Sequence, residues 1–508
     1  MKILDCTLRD GGYYTNWDFS DEIVNAYIEC TNKLPIDYLE VGYRSTPSAE
    51  YLGRFGYCPI STLRRIRISS TKKIAVMLNE KSTTVADTEK LVKPIAGYVD
   101  MIRLAVDPKN FDRAVELATA VKSYGFEVGF NMMYMSKWRE YDGLIPSLRK
   151  LDGVVDIFNM VDSFGGVTPK EVKEIFTMVH ENTSVPIGFH GHDNLQLSLI
   201  NTLTAIECGV ASVDATILGM GRGAGNLKME LLLTFLAKGS FGVDFNVLGD
   251  VVTAFQPLFE KHRWGTCLPY MLSGANSFPQ KDVMSWITNR TYSFNSIVRG
   301  LDNRRNHLLD NAQYPQFTGR RADRVMLVGG GLSVVEHRDA IIEYLNANSD
   351  IALVFVTARY ARLFVGVVND KYYCLVGNET RRMKLTLSDD DYHGTCILAP
   401  YPRMLGTEVP KYAEESTYEL PAMTFTSRYT DSCTAIGLQT AIELGAKDIA
   451  IVGYDGYSGG ILSEKETDLT KENRTLFEAF KAHCNSHVFS FTPTLYEELE
   501  VLSIYQFL

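Results

Sequence analysis

The first 230 residues alternate between short β-rich runs and longer segments with helical periodicity. Eight strand-like runs follow one another: "KILDCTL", "DYLEVGY", "KIAVML", "VDMIRLAV", "FEVGFNMMY", "VDIFNMVD", "VPIGFHGHD" and "SVDATILGMG". Amphipathic segments such as "DEIVNAYIECTNKL" and "FDRAVELATAVKSYG" lie between them. Eight units in this length predict a closed (β/α)8 barrel, the TIM-barrel fold, over residues 1–240. An open doubly wound sheet is the alternative, although it rarely uses eight units so evenly.

The remainder of the chain predicts an extension and a second domain. Residues 241–316 are mostly helical in pattern, as in "VLGDVVTAFQPLFEKHRWG", and "NAQYPQFTGRRADR" is typical of a linker. From residue 324 the alternation restarts with "RVMLVGGG", followed by the helical "SVVEHRDAIIEYLNAN". We therefore expect a C-terminal, Rossmann-like α/β domain with a parallel sheet over residues 324–508.

Composition excludes several classes of partner and location. The formal net charge of −10 argues against nucleic acid as a main partner, because phosphate binding needs a basic field. The nine cysteines include no CxxC pair, which favours reduced thiols in a cytoplasmic protein. The sequence contains no apolar run of about 18 residues, so we expect no membrane span.

The stretch "GFHGHDN" is the strongest single signal for chemistry. His190 and His192 are two residues apart on a predicted strand, so period-two alternation points both imidazoles to one side. A carboxylate is the usual third ligand for a hard or borderline divalent cation. Asp10 ends the first predicted strand, which only strand eight separates from strand seven in a closed barrel. The three side chains would then meet at one rim; the alternative is a polar strand end with incidental histidines.

A glycine-rich loop follows the last predicted barrel strand. It reads "GMGRGAGN" and ends in Asn226, which would add an oxygen ligand or a hydrogen bond to this rim. Glycines allow the backbone to approach a substrate closely, but a tight turn explains the same composition.

Five motifs together resemble a known enzyme family. "LDCTLRDGG", "YLEVGY", "DSFGGVTP", "HGHDN" and "GMGRGAGN" occur in the order and spacing of the metal-dependent barrel lyases and synthases. That family includes hydroxymethylglutaryl-CoA lyase, the isopropylmalate and homocitrate synthases, and 4-hydroxy-2-oxovalerate aldolase. The glycine loop looks most similar to the aldolase and synthase branches, since it lacks the lyase cysteine and carries Arg222 there.

The resemblance implies a divalent cation, Mn²⁺ or Mg²⁺ with Zn²⁺ as the alternative, that chelates a 2-oxo acid. By motif match, Asp10, His190 and His192 are the metal ligands, and Asn226 lies nearby. Arg9 would stabilise an enolate oxygen beside the metal, which agrees with the need for preorganised positive charge there. A salt bridge that holds the strand end is the alternative role of Arg9.

The position of the catalytic base departs from the aldolase branch. That branch carries a histidine shortly after its "LRDG", whereas this chain has Tyr13 followed by Tyr14. Tyrosine normally titrates near pH 10, so it is a poor base unless its environment changes, but it can relay a proton. Packing of the first loop is the alternative role of Tyr13 and Tyr14.

Glu40, which ends the second predicted strand, would bind Arg9, carry a proton or serve as a structural partner. Asp162 and Ser163 end strand six without an assigned role.

The second domain offers a candidate nucleotide site. "VMLVGGGLSVVEH" places three glycines between a strand and a helix, although Val334 occupies the third glycine position of GxGxxG. With "LGAKDIAIVGYDGY", it is similar to nucleotide-sugar-dependent transferases of the sialyltransferase type and to domains found with surface-polysaccharide enzymes. The resemblance implies a nucleotide or nucleotide sugar bordered by Gly330, Gly331, Ser333 and Asp455. A structural or docking domain is the alternative.

These observations together predict a divalent-metal aldolase or lyase. Its substrates would be a pyruvate-like 2-oxo acid and an aldehyde, and we expect a homo-oligomer. An acyl-CoA-dependent Claisen-type synthase is the alternative within the same chemistry. A non-catalytic scaffold with a nucleotide-binding second domain is the alternative from another class.

Overall fold

The computed structural model of the protein describes residues 1–48, 51–239, 241–288, 293–308, 313–377, 379–403, 406–458 and 462–508. The chain divides into two compact units, Met1–Met284 and Ser285–Leu508. The predicted extension over residues 241–316 spans this division, and its boundaries stay a prediction. Residues 289–292 and 309–312 of that stretch, which include the first two of the predicted linker, lie outside the described residues.

The first unit is a closed barrel of eight parallel strands, which confirms the predicted fold. The strands are β1 (Lys2–Asp5), β2 (Tyr38–Tyr43), β3 (Lys73–Asn79), β4 (Met101–Val106), β5 (Glu127–Met132), β6 (Ile157–Asp162), β7 (Ile187–Gly191) and β8 (Ser212–Ala215). They pair in chain order, and β8 closes the barrel against β1. The carboxyl ends of β1, β7 and β8 therefore lie side by side.

Helices surround the strands and extend beyond them. They are α1 (Thr7–Asp10), α2 (Gly12–Thr15), α3 (Asp21–Lys33), α4 (Arg54–Tyr57), α5 (Ile60–Ser69), α6 (Thr88–Leu91), α7 (Phe111–Ser123), α8 (Leu144–Ser147), α9 (Pro169–His180), α10 (Ser198–Cys208), α11 (Met229–Leu236), α12 (Phe245–His262) and α13 (Leu268–Ala275). The next helix, α14 (Gln280–Thr288), crosses the division between the units, and α15 (Phe294–Arg305) belongs to the second unit. Interactions of nearby side chains determine where some of these helices begin. Thr168 and Glu171 form a capping box in front of α9, with Pro169 at its first position.

The main core of this unit contains apolar side chains of both strands and helices, such as the fully buried Val76, Leu104 and Leu117. Alternate strand residues point into the barrel, and several of these inward positions carry charge. Glu40, Arg103 and Asp214 are at most 2% exposed. Charges are this deeply buried only when they are paired, so they indicate a polar network inside the barrel.

The start of the chain differs from the sequence prediction. We expected a strand that ends at Asp10, but β1 ends at Asp5 and residues 7–10 form the helical turn α1. The Asp5 carboxylate accepts a hydrogen bond from the backbone N–H of Thr7 at 2.8 Å, which favours a turn at this point. The turn closes when the N–H of Asp10 donates to the carbonyl of Cys6 at 2.9 Å. Glu40 likewise lies inside β2 and not at its end.

The second unit contains an eight-stranded parallel sheet, which confirms the predicted second α/β domain. Its strands are β9 (Arg324–Val328), β10 (Ala352–Phe355), β11 (Lys371–Leu375), β12 (Thr395–Leu398), β13 (Thr417–Glu419), β14 (Asp448–Val452), β15 (His487–Ser490) and β16 (Glu500–Val501). The spatial order is β13-β12-β11-β10-β9-β14-β15-β16. The helices are α16 (Ser333–Glu336), α17 (Arg338–Ala347), α18 (Glu379–Thr386), α19 (Cys433–Glu443) and α20 (Glu464–His483).

Within the described residues of both units, no helix has the length and apolar character needed to span a membrane.

Candidate functional site

Asp10, His190 and His192 meet at the carboxyl-terminal rim of the barrel. One ligand atom of each lies within 4.8 Å of the others, and all three side chains are buried. His190 lies on β7, His192 follows that strand directly, and Asp10 ends α1. His190 Nε2 is 3.7 Å from Asp10 Oδ2, and the two imidazole centroids are 5.0 Å apart. The structure therefore brings together the three residues that the motifs single out.

Hydrogen bonds orient both imidazoles. His190 Nδ1 lies 2.9 Å from Asp214 Oδ2, and His192 Nδ1 lies 2.7 Å from the Asp162 carbonyl oxygen. Both of these partners are acceptors, so each Nδ1 carries the proton and each Nε2 keeps its lone pair. Burial, followed by the neighbouring His190, lowers the pKa of His192 to about 3. The His192 ring is therefore neutral at neutral pH, as a metal ligand must be.

Asn226 completes the group of donors. Its Nδ2 donates to Asp10 Oδ2 at 2.8 Å, while its Oδ1 has no hydrogen-bond partner within the described residues and is buried. A buried amide oxygen without a partner is costly, so such an atom calls for a ligand. Two imidazole nitrogens, one carboxylate and this amide oxygen form a donor set that suits a divalent cation. The residues present fit the metal that the family resemblance implies.

Arg9 lies directly beside this cluster. Its Nη1 forms an ion pair with Asp10 Oδ1, and its Nε donates to Glu40 Oε2 at 2.8 Å. Trp17 Nε1 donates to the Arg9 carbonyl at 2.9 Å, which fixes the backbone. Burial, the largest influence, raises the pKa of Asp10, but Arg9 and the two imidazoles outweigh it and lower the pKa overall. Asp10 is thus an ionised carboxylate beside a fixed positive charge.

Two further charged residues were not singled out by the sequence. Arg103 Nη1 donates to Glu40 Oε2 at 3.1 Å, and its Nη2 donates to Asp214 Oδ2 at 2.5 Å. One guanidinium therefore joins the carboxylate that holds Arg9 to the carboxylate that orients His190. A signal was present, because "MIRLAV" and "SVDA" each carry one charge at an inward position of an otherwise apolar or small-residue strand.

Cys6 also lies close to the centre, in a second group of possible donors. Cys6, His190 and Asp214 form a second group with metal-like spacing. Burial, the largest influence, raises the pKa of the Cys6 thiol well above its usual value. The His190 Nδ1 in this group is already committed to Asp214.

The two tyrosines after α1 lie under the glycine-rich loop of residues 219–226. Tyr13 Oη is 3.3 Å from Tyr43 Oη, and the Arg222 guanidinium carbon lies 5.1 Å from the centre of the Tyr13 ring. Tyr14 Oη donates to the Gly223 carbonyl at 3.0 Å, and burial raises the pKa of Tyr14 to about 12. Tyr14 therefore acts in packing, whereas Tyr13 belongs to a chain of polar groups.

Asp162 and Ser163 support the loops at the rim. The Asp162 carboxylate accepts hydrogen bonds from the backbone N–H groups of Gly166 and Val167 at 3.2 and 3.3 Å. Ser163 Oγ accepts one from the N–H of Tyr134 at 2.9 Å.

In the second unit, Asp455 occupies the position expected for a phosphate. Its carboxylate accepts the backbone N–H of Ser333 at 3.0 Å and also bonds the Ser333 hydroxyl. A Cβ atom at Gly331 would lie 2.5 Å from this carboxylate, which explains the glycine. Arg359 Nη1 donates to the Gly330 carbonyl at 3.0 Å. The four predicted residues lie next to one another. The Ser333 N–H, which would be needed for a phosphate, already donates to Asp455. Nucleotide binding therefore stays a prediction.

A parallel barrel with a buried Asp-His-His centre defines the class of metal-dependent barrel enzymes. The HMGL-like family model matches residues 1–251. A 4-hydroxy-2-oxovalerate aldolase of Pelotomaculum thermopropionicum is 30% identical, over 51% of this chain and 78% of that protein. The chain belongs to the HMGL-like family and is an enzyme of this group of metal-dependent lyases and aldolases.

Two other relatives support this assignment. An oxaloacetate decarboxylase of Mycobacterium tuberculosis is 28% identical, over 46% of this chain and 70% of the relative. The solved N-terminal domain of a candidate aldolase from Bacteroides vulgatus is 65% identical, with a TM-score of 0.57. That match covers 59% of this chain and 99% of the solved domain.

Proposed function

We propose that the chain is a divalent-metal-dependent aldolase. It makes or breaks a carbon–carbon bond between the enolate of a pyruvate-like 2-oxo acid and an aldehyde. The observation that carries this proposal is the buried Arg9 guanidinium, which is fixed beside the Asp10, His190 and His192 cluster. The aldolase relative at 30% identity supports the same reaction class.

The chain's own residues hold the metal. Asp10, His190 and His192 are the proposed ligands, and Asn226 Oδ1 is the proposed fourth donor because it is buried without a partner within the described residues. Mn²⁺ or Mg²⁺ suits the two oxygen donors, and Zn²⁺ is the alternative. A bound divalent ion polarises the oxygens of a 2-oxo acid and favours loss of a proton or of a carbon substituent next to the keto group.

Arg9 supplies fixed positive charge for the enolate. Its Nε is held by Glu40 Oε2 at 2.8 Å, and Arg103 holds the same Glu40 oxygen at 3.1 Å. The guanidinium therefore does not need to reorganise when negative charge develops on a substrate oxygen. Such preorganised charge in a site shielded from water is a large contribution to catalysis.

Tyr13 is the proposed proton carrier on the aldehyde side. Its hydroxyl is 3.3 Å from that of Tyr43, so two hydroxyl groups form a short relay. The Arg222 guanidinium carbon, 5.1 Å from the Tyr13 ring centre, provides positive charge beside the relay. This arrangement stands in place of the histidine of the aldolase branch.

Decarboxylation of a 3-carboxylated 2-oxo acid is the second candidate. It yields the same enolate, but no base has to take a proton from a substrate hydroxyl. Tyr13 in place of a histidine favours this reaction. The oxaloacetate decarboxylase relative, at 28% identity, supports it as well.

One product analysis separates these candidates. The protein loaded with Mn²⁺ is incubated with pyruvate and a panel of short aldehydes, and in parallel with oxaloacetate. A 4-hydroxy-2-oxo acid product that disappears with EDTA supports the aldolase. Pyruvate released from oxaloacetate without any aldol product supports the second candidate. If the metal-loaded protein catalyses neither reaction, both candidate functions are contradicted.

A further inference from the structure

A cavity opens at the amino-terminal end of the barrel, opposite the metal centre. Its volume is about 220 Å³. Leu4, Tyr38, Met101, Ile157 and Ser212 line it. These residues lie near the starts of β1, β2, β4, β6 and β8, whereas His190 lies near the end of β7. The cavity is therefore separate from the catalytic rim.

The wall of this cavity is mainly apolar. Leu4, Tyr38, Met101 and Ile157 belong to one small cluster of buried side chains, against which Ala211 packs. The Tyr38 hydroxyl is already engaged, because it donates to Glu127 Oε2 at 2.6 Å and accepts from Lys2 Nζ at 3.1 Å. The Tyr38 hydroxyl therefore links the charged groups of Lys2 and Glu127 at the mouth, and the interior offers a largely apolar surface.

The wall also contains Lys2, Arg103, Glu127, Asp156 and Asn159, whose buried Oδ1 has no hydrogen-bond partner within the described residues. Ser212 is a further polar residue of this wall. Its side chain is more than nine-tenths buried, with 7% exposure, and it lines the cavity. The Ser212 hydroxyl forms no hydrogen bond to any residue in the described part of the chain. Buried hydroxyl groups are usually hydrogen-bonded, so this one has capacity for a partner inside the cavity.

Water finds few uncommitted polar partners in such a space. A buried water molecule needs two to four polar partners, whereas apolar cavities of about 150 Å³ stay dry and bind benzene. A space of about 220 Å³ accommodates a single ring with one or two substituents. The Ser212 hydroxyl and the unpartnered Asn159 Oδ1, set among apolar side chains, match a mainly apolar molecule with one hydroxyl or N–H group.

We propose that this cavity is a second ligand site. It takes a compact, mainly apolar molecule that carries one hydroxyl or N–H group, with that group bonded to Ser212. Arg103 lines the inner end of the cavity and contacts both Glu40 and Asp214. An occupant therefore lies directly against the residue that joins the two halves of the catalytic charge network.

Two isosteric probes test the proposal on the full chain without added metal. Phenol and toluene have the same shape, and only phenol can bond the serine hydroxyl. Isothermal titration is expected to give saturable binding of both at one site. Ser212→Ala should weaken phenol binding about 5-fold, the usual effect of one neutral hydrogen bond, and should retain toluene binding.

Ala211→Leu fills the space and should abolish binding of both probes. Ala347→Leu, at an exposed position of the second unit, is the matched control and should leave both affinities unchanged. Thermal unfolding of each variant confirms that it is folded. The proposal is overturned if neither probe binds at one site, or if Ala211→Leu binds them normally. Equal weakening of phenol and toluene by Ser212→Ala also overturns it.

Discussion

His190 Nδ1 lies 2.9 Å from Asp214 Oδ2, and Asp214 in turn accepts a hydrogen bond from Arg103 at 2.5 Å. Burial, the largest influence, raises the pKa of Asp214, but Arg103 and His190 together outweigh it and lower the pKa to about 2, so the carboxylate stays charged. The pair fixes the tautomer of His190 and turns Nε2 toward Asp10. The metal centre thus depends on charges that lie deeper in the barrel than its ligands.

Asp214→Asn should weaken metal binding 10- to 100-fold, since loss of a carboxylate behind a ligating histidine has about that effect. Calorimetric titration of Mn²⁺ into the metal-free protein measures it. Asp142→Asn, at an exposed position, is the control and should bind like the wild type. An unchanged affinity in Asp214→Asn would show that the hydrogen bond does not support a metal ligand.

Asp10→Ala should abolish stoichiometric metal binding. It removes the only carboxylate of the proposed ligand set and leaves the two imidazoles without an anionic partner. Elemental analysis after dialysis against Mn²⁺ checks this result, again with Asp142→Ala as the control. Retention of one ion per chain would rule out Asp10 as a ligand.

Arg103→Met should destabilise the fold by about 3–5 kcal/mol, because it leaves two buried carboxylates short of a cation. Arg149→Met, at an exposed position, should change stability by less than about 0.5 kcal/mol. Denaturant unfolding of the two variants gives the comparison. Equal stabilities would mean that Arg9 and His190 suffice to compensate Glu40 and Asp214.

Asp5 should make stability depend on pH. Burial, the largest influence, raises its pKa from 3.8 to about 6 despite hydrogen bonds from Tyr27 and Thr7. Between these values the folded state holds a proton that the unfolded state has lost, so stability falls as pH rises from about 4 to 6. The decrease is about 3 kcal/mol and does not continue above that window.

Asp5→Asn removes this contribution and should flatten the curve. Denaturant unfolding between pH 4 and 7 measures the difference from the wild type. Burial also raises the pKa of Asp162 to about 6. Asp162 therefore contributes in the same pH window, and it is present in both proteins. Identical pH dependence in the two proteins would contradict the assignment to Asp5.

Much of the barrel was predictable because strand periodicity and length are local properties of the chain. Chain order also placed Asp10, His190 and His192 at the same rim of a closed barrel, and the structure has them together. The turn at residues 7–10 was not predictable from periodicity, because it is favoured by one hydrogen bond that the backbone N–H of Thr7 donates to the Asp5 side chain.

The buried charge network was harder to predict from the sequence than the barrel strands. Period two places Arg103 and Asp214 inside the barrel, but their pairing depends on the stagger of β4 against β8 across the interior. The same limit applies in the second unit. Asp455 and Ser333 are 122 residues apart, and only the central position of β9 and β14 brings them into contact.

The central claim is that this barrel forms the enolate of a 2-oxo acid beside Arg9. Exchange of the pyruvate methyl protons with D2O, followed by NMR, tests it without knowledge of the aldehyde. We expect exchange with Mn²⁺, none with EDTA, and a loss of roughly 10²–10³-fold in Arg9→Met, which should still bind metal. Exchange that persists in EDTA or proceeds normally in Arg9→Met would contradict a metal-dependent enolate stabilised by Arg9.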